Sequence, residues 1–243
     1  MIYRILGKTS LKVSELGLGC AQIGGPSFIN NKYIGSPKIE TAEAYKILNL
    51  AFDNGINFYD TSDCYGDGKS EKYIGDTFSN KRDKLIIATK CGMTSSGERC
   101  FEREYILKCC EHSLKRLKTD YIDIYQLKGP SNELIKRGEI FETLDLLKTK
   151  GMIRFSGISA ANIDDAIICG ETNYIDTIQI MYNLLYTVPE EKLLNLTAKN
   201  NIGVICRSPL SSGLLTGKIN ENTIFDMEDD RKTFMFGELL KQR

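Results

Sequence analysis

The stretch Asn57-Phe-Tyr-Asp-Thr-Ser-Asp-Cys-Tyr-Gly66 decides how this chain folds. It reads as a short buried strand that delivers Asp60 at its end and Tyr65 on the loop beyond. A second apolar run, Lys84-Leu-Ile-Ile-Ala-Thr-Lys90, also ends in a charge. If these are neighbouring parallel strands, a carboxylate, an ammonium and a phenol reach one rim, and that set can move a proton.

Working towards the N-terminus, a helix over Thr41 to Phe52 feeds the first strand. Ala44, Ile47, Leu48, Ala51 and Phe52 share one face, Thr41 stands at a cap-like start, and Gly55 sits where a helix stops. Before it, Ala21 to Lys38 is rich in Gly, Pro, Ser and Asn and reads as a loop. Glu15 to Gly19 is expected to be the first core strand, and Tyr3 to Val13, with its Gly-Lys turn, an N-terminal hairpin.

Towards the C-terminus the strand and helix patterns alternate. Strands are expected at Leu85–Thr89, Tyr121–Leu127, Ile153–Ile158, Thr177–Met181 and Gly203–Cys206, with helices near 102–118, 139–150, 163–169 and 190–200 between them. That alternation is the signature of βαβ units and a parallel sheet, and runs such as Leu85-Ile-Ile-Ala88 suit strands covered on both faces. A doubly wound sheet would need a Gly-x-Gly-x-x-Gly turn leading straight into a helix, and Gly17-Leu-Gly19 leads into a loop instead. Polar residues gather at the strand C-termini: Asp60, Lys90, Gln126 and Lys128, Ser159, Gln179, Arg207 and Ser208. A barrel carries its active site on that rim, so the expected fold is an α/β, (β/α)8 TIM-type barrel.

Composition agrees. The 243 residues are 42% hydrophobic, enough for one barrel domain over 1–243. Basic and acidic residues balance at 32 each with no basic cluster interleaved with aromatics, which argues against nucleic acid and for a small-molecule partner. No stretch has the length and apolarity of a membrane span, and the start MIYRILGKTS lacks an apolar signal region, so a cytoplasmic protein is expected. The eight cysteines are scattered without a CxxC pair and read as reduced thiols rather than disulfides or a metal site.

The motif Asp60-Thr-Ser-x-x-Tyr65-Gly66, with Ser70-Glu71 after it and Lys90 closing the next strand, resembles the aldo-keto reductases, which are NAD(P)H-dependent barrels. Ser113-Leu-Lys-Arg-Leu, Asp120-Tyr-Ile-Asp-Ile-Tyr, Gly157-Ile-Ser, Gln179 with Tyr182-Asn183, Ser208-Pro-Leu and Gly213-Leu-Leu-Thr-Gly-Lys218 extend the resemblance to about Arg231. It implies that Tyr65 gives a proton to a carbonyl oxygen, with Lys90 beside it and Asp60 paired to Lys90. A phenol is a poor acid near neutral pH, and an ammonium alongside it stabilises the anion left behind. The resemblance places Ser159 and Gln179 on the nicotinamide carboxamide, Arg207 where many members stack an aromatic on the ring, and Ser208, Leu210, Ser212 and Lys218 along the pyrophosphate. NADPH is the cofactor expected ahead of NADH, and no metal is implied. A guanidinium at 207 would favour the reduced cofactor over its cationic oxidised form.

Three departures from the family pattern bear on activity. Lys128 stands where a histidine normally helps orient the carbonyl, and the sole histidine, His112, falls in the helix near 102–118. An ammonium there can still stabilise a developing oxyanion, and it points to a substrate carrying negative charge. Ala160 replaces the asparagine that usually follows the serine. Only seven core strands are countable, with a helical stretch at Thr233-Phe-Met-Phe-Gly-Glu-Leu-Leu after them, so the last βα unit is expected to be missing or replaced. The reading is therefore a reductase of a small aldehyde, ketone or sugar-like carbonyl. A non-catalytic nicotinamide-sensing or partner-binding barrel, and an isomerase or epimerase using the same acid-base set, stand as alternatives.

Overall fold

The structure, a computed structural model, describes residues 1–29, 32–172, 174–220, 222–229 and 231. An antiparallel hairpin of β1 (Tyr3–Ile5) and β2 (Lys12–Ser14) leads into β3 (Leu18–Gly19). The segment expected as loop then holds a one-turn helix, α1 (Ala21–Gly24), and a second hairpin of β4 (Ser27–Ile29) and β5 (Lys32–Ile34). Its turn residues are real, with Gly25 at φ 75° and Gly35 at φ 108°, and they bracket extended pieces too short for periodicity to reveal.

After α2 (Thr41–Asp53) come β6 (Phe58–Asp60), α3 (Lys69–Phe78), β7 (Ile86–Cys91), α4 (Arg103–Leu117) and β8 (Ile122–Lys128). They are followed by α5 (Asn132–Arg137), α6 (Glu139–Thr149), β9 (Ile153–Ser159), α7 (Ile163–Thr172), β10 (Thr177–Met181), α8 (Leu193–Lys199) and β11 (Gly203–Arg207). The expected strands and helices are found with ends shifted by at most three residues. Glu40, not Thr41, caps α2, and the Thr41 hydroxyl instead meets the Tyr73 hydroxyl at 3.2 Å. The helix α3 is new, because Gly68 and Gly75 depress its propensity. Gly75 is there to let two helices touch, since a Cβ on it would lie 2.4 Å from the Arg116 carbonyl oxygen of α4.

Seven parallel strands pair in the order β11-β10-β9-β8-β7-β6-β3. Their inner face meets the first hairpin. Phe58, Ile86, Ala88, Ile124 and Ile205 from four strands pack on Leu6, Leu11 and Val13, which close the barrel's N-terminal end. A larger core fills the space between the strands and the outer helices. Among the described residues β3 and β11 share no hydrogen bond, so the sheet curls into a barrel with one open seam. The expected helical stretch from Thr233 lies outside the described residues.

At the N-terminal end of β8, Asp123 is fully buried. It accepts from Arg82 at 2.6 Å, from Arg154 at 2.7 Å and from the Ile87 backbone N–H at 3.0 Å.

Candidate active site

The strands end together at the opposite rim. Parallel register sets Asp60 beside Ala88 in β7, Lys90 beside Gln126 in β8, Lys128 beside Ser159 in β9 and Ser159 beside Gln179 in β10. Residues separated by up to 119 positions therefore share one network.

Asp60 is its hub. Lys90 Nζ donates to Asp60 Oδ2 at 2.7 Å and to the Thr61 carbonyl at 2.7 Å. Gln179 Nε2 donates to Asp60 Oδ1 at 2.8 Å and Gln126 Nε2 does so at 3.4 Å, while the Ser159 hydroxyl donates to Gln179 Oε1 at 2.9 Å. Lys90 is 1% exposed. Burial works against its charge, but the Asp60 carboxylate and then Tyr65 outweigh it, so the ammonium is held above its ordinary pKa.

Tyr65 lies over this pair, on a loop pinned by glycine. Gly66, at φ 58°, passes so close to Gly24 that a Cβ would meet the Gly24 carbonyl oxygen at 2.0 Å. Lys90 Nζ is 5.2 Å and Lys128 Nζ is 5.1 Å from the Tyr65 ring centroid, within the range of cation–π attraction. Two ammonium groups thus address one phenol. Lys128 Nζ also donates to Cys64 Sγ at 3.1 Å.

Beneath the loop, Glu71 is fully buried and is gripped by Arg116 at 2.6 Å and by the Thr89 hydroxyl. Sequence reasoning assigned no role to Asp63, whose carboxyl is pushed up to about 6 by burial and by the nearby Glu71. Arg99, at the mouth, was missed as well. It lies in a Gly/Ser-rich turn, and the bridge from Met93 to Arg99 together with the bond from Arg99 to the Lys128 carbonyl brings it to the rim.

A cleft of about 1230 Å³ opens over the network and runs to the seam. Asp60, Tyr65, Lys128, Ser159, Gln179, Arg207, Ser208, Leu210 and Ser212 all line it. Lys90 is buried behind Asp60, and Lys218 is exposed and stands outside the wall. Ser208, Ser211 and Ser212 have φ of 54°, 48° and 55°, and Gly213 has 104°. Such left-handed conformations are sparsely populated by side-chain-bearing residues and cluster at ligand-binding turns.

The aldo/keto reductase family model matches residues 15–241. The chain belongs to the aldo/keto reductase family. It is 36% identical over 220 residues to the oxidoreductase YqkF of Bacillus subtilis strain 168, covering 88% of this chain and 67% of that protein. The aldo-keto reductase YhdN of the same organism is 35% identical over 236 residues, covering 95% and 69%. Among solved structures, the holo form of the aldo-keto reductase AKR11C1 from Bacillus halodurans superposes with a TM-score of 0.76 at 31% identity, covering 92% of this chain and 70% of that one. The chain thus spans about two thirds of the length of these relatives and is itself an oxidoreductase by family, with an α/β barrel fold. Among the described residues no cluster of His, Cys, Asp and Glu is placed to hold a metal, and no helix is long and apolar enough to cross a membrane.

Proposed function

We propose that the chain is a single barrel domain that reduces the carbonyl of a small aldehyde, ketone or sugar-like compound, with Tyr65 as proton donor. One observation carries the reading: the buried Asp60–Lys90 pair at 2.7 Å lies with its ammonium 5.2 Å from the Tyr65 ring, open to a cleft. A nicotinamide cofactor, when bound, supplies the hydride that the carbonyl carbon takes up. Tyr65 gives its proton to the carbonyl oxygen, and Lys90 stabilises the phenolate left behind. Asp60 keeps Lys90 charged and in place. Lys128 faces the same region and favours the oxyanion as it forms, which also makes a negatively charged substrate a good match.

The strand ends from β9 to β11 fit the cofactor. Ser159 and Gln179 present oriented polar groups for a carboxamide, and the Ser208–Gly213 turn with Leu210 and Ser212 suits a pyrophosphate. Lys218 would add charge only by reaching back from outside the wall. Burial pulls the Arg207 guanidinium below its usual pKa, with Tyr65 opposing. Its charge selects NADPH over its oxidised form, and NADPH is the cofactor we assign ahead of NADH. A cytoplasmic setting suits the unbridged thiols, among them the half-buried Cys64 beside Tyr65.

Fluorescence titration with NADPH and NADH, followed by turnover on aldehydes, keto acids and sugars, tests the reading. Tyr65→Phe is expected to lower reduction by about 10²- to 10⁴-fold while cofactor affinity stays within a few-fold. Near-normal turnover in that variant would remove Tyr65 from its role. Binding without oxidation on every carbonyl would favour the sensing barrel.

A further inference from the structure

We propose that Arg99 and Lys128 together clamp a carboxylate or phosphate on the substrate, so that this reductase acts on small anionic carbonyl compounds. The proposal rests on the reductase reading and assigns Arg99 a specificity-determining role.

The charges in the cleft wall are unevenly used. Its acids are already engaged: Glu15 pairs with Arg4 at 2.9 Å and Asp60 with Lys90 at 2.7 Å. Of its cations, Arg231 is held by Asp229 at 2.6 Å. Arg99, Lys128 and Arg207 have no carboxylate within ion-pair distance among the described residues. Arg207 ends β11, beside the serine turn proposed for the cofactor. Arg99 and Lys128 lie on the other side, on the β7–α4 loop and the end of β8, where a pyrophosphate at that turn would not neutralise them.

These two cations are also fixed to each other. Arg99 Nη1 donates to the Lys128 carbonyl at 2.8 Å, which leaves the rest of its N–H fork for another acceptor. Its loop is braced by the Met93–Arg99 bridge, by a Thr94 N–H bond to the Glu98 carbonyl at 2.9 Å and by the Tyr105 hydroxyl on the Met93 carbonyl at 3.0 Å. Lys128 Nζ has a thiol, a weak acceptor, as its hydrogen-bond partner, and an anionic oxygen is a better one. A neutral substrate closing the mouth would strip water from both cations and offer in return only its carbonyl oxygen, whereas an anion compensates them. Because Lys128 also faces Tyr65, the anionic group belongs a short distance from the reacting carbonyl.

Matched substrates test this: benzaldehyde against 4-carboxybenzaldehyde, and glyceraldehyde against its 3-phosphate. The anionic member of at least one pair should have the higher kcat/KM. Arg99→Gln should lower that value by about 10- to 100-fold, through KM, because a charge-assisted bond is lost, and the neutral member should fall far less. Arg99→Lys should recover part of the loss. The pair that responds tells carboxylate from phosphate. An equal fall for both members, or an unchanged ratio, overturns the clamp and leaves the reductase reading intact. Calorimetric titration with benzoate and with inorganic phosphate, without cofactor, gives a readout free of turnover. Binding lost in Arg99→Gln supports the clamp even if no carbonyl is reduced, in which case it is the reductase reading that falls. Equal binding by both proteins, or none by either, overturns the clamp.

Discussion

The barrel buries a carboxylate at each end, and the two are built differently. At the N-terminal end Asp123 is fully buried and saturated, with a guanidinium on each oxygen and a backbone N–H besides. At the C-terminal end Asp60 keeps 17% of its side chain exposed, faces a lysine and two amides, and forms part of a cleft wall beside a phenol. Both satisfy the rule that buried charge needs partners. Of the two, only Asp60 lines the cleft in which a substrate would sit. The charge that matters for chemistry is the one whose network stops at a cavity.

Substitutions at the two ends should therefore separate stability from activity. The largest effect is expected for Asp123→Ala. It leaves Arg82, 11% exposed, without its carboxylate, and removing one partner of a buried pair costs about 3–5 kcal/mol. Urea unfolding should show that loss, while turnover per folded molecule stays near the parent's. A large fall in turnover per folded molecule would mean that the two ends are coupled through β8.

Asp60→Asn should do the reverse. The amide still accepts from Lys90 but no longer neutralises it, and the Gln179 and Gln126 amides lose an anionic acceptor. Turnover is expected to fall by at least about 10²-fold, with a smaller loss in urea stability than for Asp123→Ala. If stability falls more than activity, the Asp60–Lys90 pair is structural and the contrast between the ends disappears.

Asp63 gives a pH-dependent effect of opposite sign. Its folded pKa of about 6 lies above the ordinary carboxylate value of 3.8. Below the lower value the group is protonated in both states and contributes nothing. As pH rises towards 6 the unfolded chain loses the proton first, so stability falls, and above about 6 the cost is complete. Asp63→Asn should then raise stability by roughly 1–3 kcal/mol above pH 6 and progressively less towards pH 4, read as melting temperature against pH. A pH-independent difference would show that Asp63 does not titrate in this window.

Much of this was legible in the sequence, for identifiable reasons. Strands covered on both faces write continuous apolar runs, and each ends at a polar residue, so Leu85–Thr89 announced both β7 and Lys90. Asp60, Tyr65 and Lys90 could be placed together because parallel strands put their C-termini on one side. What escaped notice depends on contacts made across the chain. Helix α3 hides behind Gly75, whose need for closeness to Arg116 no local pattern records. Arg99 is an ordinary residue in a turn until the Lys128 carbonyl holds it at the mouth. The elevated Asp63 carboxyl likewise arises from burial beside Glu71, which is adjacent in space rather than in sequence.

The smallest expected effect concerns the open seam. Parallel register sets Cys206 beside Ile180, which is 1% exposed and packs in the core between strands and helices, so Cys206 faces outward too. Two pairs earlier, on the same face, Val204 still packs on that core, yet Cys206 is exposed. Among the described residues the outer face of β11 is thus covered at its start and open at its end, where Cys206 reaches the edge of the cleft. Cys206→Ser should change stability by less than about 0.5 kcal/mol, whereas Cys169→Ser, fully buried in α7, should cost about 1–3 kcal/mol for an unmatched hydroxyl. A maleimide should label Cys206 in the native protein and leave Cys169 unmodified. Should Cys206 resist labelling, or its serine variant cost as much as that of Cys169, another segment or a second chain must cover this edge. The cleft would then be enclosed along the seam as firmly as it is along β6 to β9.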